Sequence, residues 1–181
     1  MTPETDGSDV DLIKRAASGD RAAFEAVVRR QKQPLFRFIR RYVGNDDDAY
    51  DLLQDSFVAA WTAMGRFDSS RPFVPWLRTI ALNKCRDFSR RQTVRRAMLG
   101  LFAAVSGWQT DAADPQADRL DRLDRAIAEL PAFYKEPLLL TAVSGLSHSE
   151  AAAILKTSPK AIEMRVRRAR QKLAKALPAE G

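Results

Sequence analysis

The chain has 181 residues, with 30 Lys and Arg against 23 Asp and Glu, a formal charge of +7, one cysteine and one histidine. Cys85 alone makes no internal disulfide, and with His148 it cannot complete a four-ligand zinc site, so no metal or cofactor is expected and the setting is a reducing cytoplasm. The basic excess favours polyanionic partners. No apolar run approaches the length of a membrane span, so no membrane insertion is expected.

In chain order, Ser8 or Asp9 is expected to cap a first short helix that Ser18 and Gly19 stop. Asp20 caps the next, which has an apolar face of Phe24, Val27, Val28, Leu35, Phe38, Ile39 and Tyr42; Pro34 must kink or divide it. A third helix is predicted from about Asp46 to Met64. Its acids gather in the first turns, where the helix dipole favours them, and Tyr50, Leu53, Phe57, Val58 and Trp61 recur at helical spacing. Phe57, Trp61 and Phe67 are expected in the core. Gly65, two serines and two prolines predict a loop to about Pro75. The helix after it should turn Trp76, Leu77, Ile80, Ala81 and Phe88 inward and Arg78, Lys84, Arg86, Arg90 and Arg91 outward.

Clean periodicity is lost over 96–118, which reads as a flexible linker. It carries Leu101, Phe102, Val105 and Trp108, then Asp111, Asp114 and Asp118. Leu120, Leu123, Ile127 and Leu130 restart helical spacing, Pro131 interrupts it, and another helix is expected over 133–143. Ser147 with Glu150 forms a capping-box pattern, and Ser158 with Pro159 opens one more helix only three residues after Leu155. Ile162, Val166, Ala169, Leu173 and Leu177 make one stripe of that helix, leaving Lys160, Glu163, Met164, Arg167, Arg168 and Lys172 elsewhere on its surface. Two short helices, a tight turn and clustered arginine make a DNA-reading helix-turn-helix. The expected fold is therefore all-α: a helical domain over 8–95, a linker over 96–118 and a helix-turn-helix domain over 119–178. No catalytic residues are assigned and no enzyme activity is expected. Ser147, His148 and Ser149 are consecutive and cannot converge as nucleophile and base.

The ordered motifs resemble the bacterial sigma factor family, and within it the extracytoplasmic-function group. Asp48-Ala-Tyr-Asp51-Leu-Leu-Gln54-Asp55-Ser-Phe57 is similar to the family's segment for the clamp helices of the polymerase beta-prime subunit. The resemblance implies polymerase contact by Asp48, Asp51, Gln54 and Asp55. The run from Phe67 through Phe73, Trp76 and Asn83 is similar to the segment that melts and reads the minus-ten element as single strand. Trp76, Phe73 and Asn83 then become wedge, wall and base-edge contact, with Arg66, Arg78, Lys84, Arg86 and Arg90 on phosphates. Aromatic stacking of a base is worth about 1 to 3 kcal/mol.

The run from Leu146 to Leu173 resembles the module that reads the minus-thirty-five duplex, with Ser158, Lys160, Glu163, Met164, Arg165, Arg167 and Arg168 at the interface. By position, Arg167 and Arg168 suit guanine, Glu163 suits cytosine N4, and Lys160 and Arg165 suit phosphate. The implied partners are core RNA polymerase, through its beta-prime clamp helices and beta flap, promoter DNA, and an anti-sigma factor. Tyr50 stands where the family commonly has glutamate. Lys156 stands where it commonly has glycine, which predicts a left-handed non-glycine residue in the turn. The alternatives are a stand-alone helix-turn-helix regulator with an amino-terminal interaction domain, and an adaptor whose acidic helix docks a protein partner.

Overall fold

The computed structural model describes residues 7–98 and 115–177. Among them every regular element is helical: α1 (Gly7–Ala17), α2 (Arg21–Val43), α3 (Asp46–Met64), α4 (Phe73–Met98), α5 (Pro115–Glu129), α6 (Ala132–Leu138), a π-helical turn (Leu139–Val143), α7 (His148–Leu155) and α8 (Pro159–Ala176). The linker residues Leu101, Phe102, Val105, Trp108, Asp111 and Asp114 lie outside the described residues. Asp118 falls within the backbone of α5.

Local chemistry sets most of the boundaries. Asp20 accepts from the Ala23 N–H at 3.0 Å to start α2, and Asn45 accepts from the Asp48 N–H at 2.8 Å to start α3. Gly44 ends α2 at φ 92°, a left-handed value that a side chain would oppose. Two expectations need correction, and one is narrowed. α1 begins at Gly7, so Ser8 and Asp9 lie in its first turn rather than before it. Of the two outcomes open at Pro34, division is excluded, since it stands inside one helix, Arg21–Val43. α4 begins at Phe73, two residues before Pro75, because a proline in the first turn lacks only an N–H that has no intrahelical partner anyway.

α2 packs against α1, α3 and α4 to make the first module, and α8 packs against α6 and α7 to make the second. Leu35, Phe38, Ile39, Leu77, Ala81 and Leu82 fill the first core, while Leu139, Leu140, Ala151, Ile162 and Ala169 fill the second. The modules also touch directly. α5 lies between α2 and α8, the π-helical turn rests on α2, and α7 meets α4. The helix expected over 133–143 is thus split into α6 and a π-helical turn. In that turn the Ser144 N–H reaches back five residues to the Leu139 carbonyl at 3.0 Å, and the Thr141 hydroxyl donates to the Pro137 carbonyl at 2.8 Å.

Candidate polymerase and nucleic-acid interface

On α3 the buried side holds Ala49, Leu52, Leu53, Ser56, Ala60 and Met64. Asp51, Gln54 and Asp55 share the exposed side, whereas Asp48 is half-buried, its carboxylate accepting from the Asn45 amide at 2.5 Å. Asp55 lies 4.0 Å from the Lys84 ammonium, which links this face to α4. Two aromatics expected along the packed stripe stand in solvent instead. Tyr50 is 49 % exposed and stacks on Phe36 at 4.5 Å, and Trp61, 39 % exposed, meets Phe24 at 4.9 Å. Helical spacing alone does not distinguish a wide buried face from a stripe that runs past its edge.

The aromatic residues expected at the single-strand site form one cluster. Phe67, Phe73 and Trp76 have ring centroids 4.7 to 5.7 Å apart. Phe67 and Phe73 are buried, so Phe73 supports Trp76 from behind rather than presenting its face; Trp76 is half-buried at the rim. Asn83, Arg66 and Arg90 are exposed, Lys84 is half-buried, and Arg90 pairs with Asp87 on its own helix.

Arg78 does not point outward as expected. It is 1 % exposed, with its guanidinium 5.8 Å from the Phe38 ring and its Nε donating to the Ser144 hydroxyl of the second module at 2.9 Å; its Nη1 has no partner. Burial, with the like charge of Arg37, pulls its pKa down to about 10, so the group remains a cation at neutral pH. Arg86 is also engaged across the modules. Its fork grips the Glu136 carboxylate at 2.8 and 2.5 Å, and this pairing raises its pKa against the opposing effect of burial.

More residues join the two modules than the sequence suggested. Arg40 contacts Asp46 at 2.9 Å, Asp121 at 2.9 Å and Asp124 at 2.5 Å, and Arg41 meets Asp124 at 2.7 Å. Burial acts to lower the Arg40 pKa, but the surrounding carboxylates outweigh it and the net shift is upward. Lys135 places its ammonium on the Tyr42 carbonyl at 3.1 Å and on the Ala128 carbonyl at 2.5 Å, and so caps the carboxy-terminal turns of α2 and α5 together. Burial lowers its pKa. The Tyr42 hydroxyl donates to Glu136 at 3.3 Å, and burial, seconded by Glu136, pushes its pKa up. The alternating basic and acidic runs around residues 40 and 121 were the available signal, and they neutralise one another.

In the second module the capping box is present in full. The Glu150 N–H donates to the Ser147 hydroxyl at 3.2 Å, and the Ser147 N–H donates to the Glu150 carboxylate at 2.8 Å. Ser158 accepts from the Ala161 N–H at 3.2 Å with Pro159 first in α8. Lys156 adopts φ 51° and ψ 51°, the left-handed conformation expected of the turn. Lys160, Glu163, Met164, Arg167 and Arg168 are all exposed on α8. Lys160 pairs with Glu163 at 2.8 Å, and that contact lowers the Glu163 pKa. Arg165 is turned back instead, its guanidinium 4.0 Å from the Phe133 ring.

The family models for sigma-70 region 2 and sigma-70 region 4 match residues 27–95 and 120–173. RNA polymerase sigma factor NccH of Alcaligenes xylosoxydans xylosoxydans is 40 % identical over 171 residues, covering 91 % of this chain and 92 % of that one. RNA polymerase sigma factor CnrH of Cupriavidus metallidurans is 38 % identical over 190 residues, with 99 % and 98 % covered. This chain belongs to the extracytoplasmic-function sigma factors. The solved structure of CnrH in complex with the cytosolic domain of CnrY aligns with this sigma factor at a TM-score of 0.74 and 37 % identity, over 96 % of this chain and 99 % of that one. Sigma factor RpoE in complex with anti-sigma factor NepR from Bartonella quintana aligns at 0.71 and 26 %, over 87 % and 98 %. Family membership places α3 and α4 of this sigma factor in region 2 and α6 to α8 in region 4. No described helix is long and apolar enough to cross a membrane, and no group of metal-ligating side chains occurs among the described residues.

Proposed function

We propose that this sigma factor docks on core RNA polymerase through Asp51, Gln54 and Asp55 of α3 and directs initiation by reading the two promoter elements with separate modules. Supporting this reading is one arrangement above all: an exposed acidic helix face and a doubly capped helix-turn-helix stand in the same chain, each with its polar side chains in solvent. Trp76 at the rim of its aromatic cluster and the exposed Asn83 serve captured bases of the minus-ten strand, while Lys84, Arg86 and Arg90 serve its phosphates. Arg167, Arg168 and Glu163 serve base edges of the minus-thirty-five duplex, and Lys160 its backbone. The protein acts as an initiation factor without catalytic chemistry of its own, in the cytoplasm where the polymerase works. CnrH and RpoE are each described in complex with a second protein, for RpoE an anti-sigma factor, and we extend such a partner to this chain.

The decisive experiment is promoter-dependent transcription with purified core enzyme and a genomic fragment library. Asp51→Lys with Asp55→Lys should abolish core binding while circular dichroism still shows native helicity. Unchanged core binding would remove α3 from the polymerase contact.

A further inference from the structure

One side chain near the start of α8 has no part in the contacts to base edges and phosphates described above. Met164 stands two residues after Ile162, so it projects about 200° round the helix from that buried side chain, at the middle of the outward face. Lys160, Arg167 and Arg168, each within one turn of it, are its neighbours on that face, and all are exposed. Met164 is 39 % exposed, the one large apolar side chain in solvent among the described residues of α8. Charged residues around it are drawn aside. The Lys160 ammonium is held on Glu163 at 2.8 Å, and the guanidinium of Arg165, next in sequence, lies 4.0 Å from the Phe133 ring. An uncovered thioether is thus the central point of a surface otherwise made of charge.

A single exposed methionine is ordinary on a surface in water. In a groove it is not neutral, because closing α8 on a duplex strips water from whatever base edge lies under residue 164. A thioether donates no hydrogen bond and accepts only weakly, so over the amino, carbonyl and ring-nitrogen groups of guanine, cytosine or adenine it leaves polar atoms buried and unpaired. Thymine alone presents an apolar group in the major groove, its C5 methyl. An unbranched side chain with three rotatable bonds can follow that methyl into contact.

We propose that Met164 is a specificity-determining residue, selecting thymine at one position of the minus-thirty-five element through contact with its C5 methyl. The inference rests on the reading that α8 enters the major groove. Selection works in both directions: burial of the methyl favours thymine, and unpaired polar atoms count against the other three bases. The charged residues around Met164 recognise polar edges, and Met164 adds a position that no charge reads.

The test uses the full chain assembled with core polymerase, on the promoter recovered from the genomic fragment library and randomised through its minus-thirty-five element. Wild type should select thymine at one position. Deoxyuridine there, which lacks only the methyl, should weaken binding about fourfold, the worth of one buried methyl. Met164→Leu should keep that difference, and Met164→Gln, of similar length and helix propensity, should erase it while the preferences at other positions stand. Because residue 164 is exposed in mid-helix, both variants keep the fold, which circular dichroism verifies. Equal wild-type affinity for thymine and deoxyuridine at every position overturns the proposal, and so does a methyl preference that persists at full size in Met164→Gln. Arg167→Ala/Arg168→Ala separates the underlying reading. If that pair changes neither affinity nor selection, α8 does not enter the groove; if it weakens binding while thymine and deoxyuridine remain equivalent in the wild type, the role of Met164 alone is refuted.

Discussion

Arg78→Met should make the protein more stable, against the usual expectation for a buried side chain with a hydrogen bond. The guanidinium is 1 % exposed and has no carboxylate partner, and burial pulls its pKa down to about 10. A fall of that size corresponds to about 3 kcal/mol of unfavourable burial of the charge. Against it stand the hydrogen bond to Ser144 and the contact with the Phe38 ring, at about 1 kcal/mol each. Methionine keeps an unbranched chain in the same space without the charge, for a net gain of about 1 kcal/mol. Because the pKa is depressed in the folded state, the penalty is complete at every pH below about 10 and lifts only as pH rises above that value. The advantage of methionine should therefore be flat across the neutral range. Thermal unfolding should show a rise in Tm of about 2 to 4 °C. Arg78→Ala, which leaves a cavity, should lower stability by about 2 kcal/mol or more. A methionine variant less stable than wild type by over about 1 kcal/mol would mean that the buried guanidinium is a net favourable contact.

Lys156→Gly should stabilise the second module by about 0.5 to 1 kcal/mol, because relief of the left-handed conformation exceeds the added freedom of the unfolded chain; chemical denaturation reads this. Ser147→Ala should cost about 1 kcal/mol in the same measurement, since it removes the acceptor for the Glu150 N–H. Arg167→Ala should weaken minus-thirty-five duplex binding by about 1 to 3 kcal/mol at fixed salt if the contact is bidentate to guanine, and relax preference at one base position. An equal loss on every sequence would assign Arg167 to the backbone instead.

What was readable in the sequence was what local chemistry decides. Asp20, Ser147 and Ser158 act on N–H groups three residues away, so a cap and its helix start lie within one short window. The left-handed Lys156 was readable only through the family resemblance, which puts a glycine at that place in the turn. Arg78 was not, because its burial depends on Ser144, 66 residues further on, and the outward face of α4 is outward only until a second module covers it. Arg86 and Glu136, 50 residues apart, illustrate the same difficulty. Trp61 and Tyr50 failed in the opposite direction, being apolar residues at correct helical spacing that rest on single aromatic neighbours at the surface. Charge runs were visible, but whether a run meets solvent, a partner or another run of the same chain is decided by tertiary packing.

Lys135 gives the contact between the modules a further property. Its one ammonium closes the carbonyl ends of α2 and α5, helices from opposite sides of the linker. Fraying of either helix end exposes the same buried charge, so local openings on the two sides are coupled. In native-state hydrogen exchange the last turns of α2 and α5 should protect and release their amides as one cooperative unit, though nearly ninety residues separate them along the chain. Lys135→Met should split that unit into two, each exchanging with its own module.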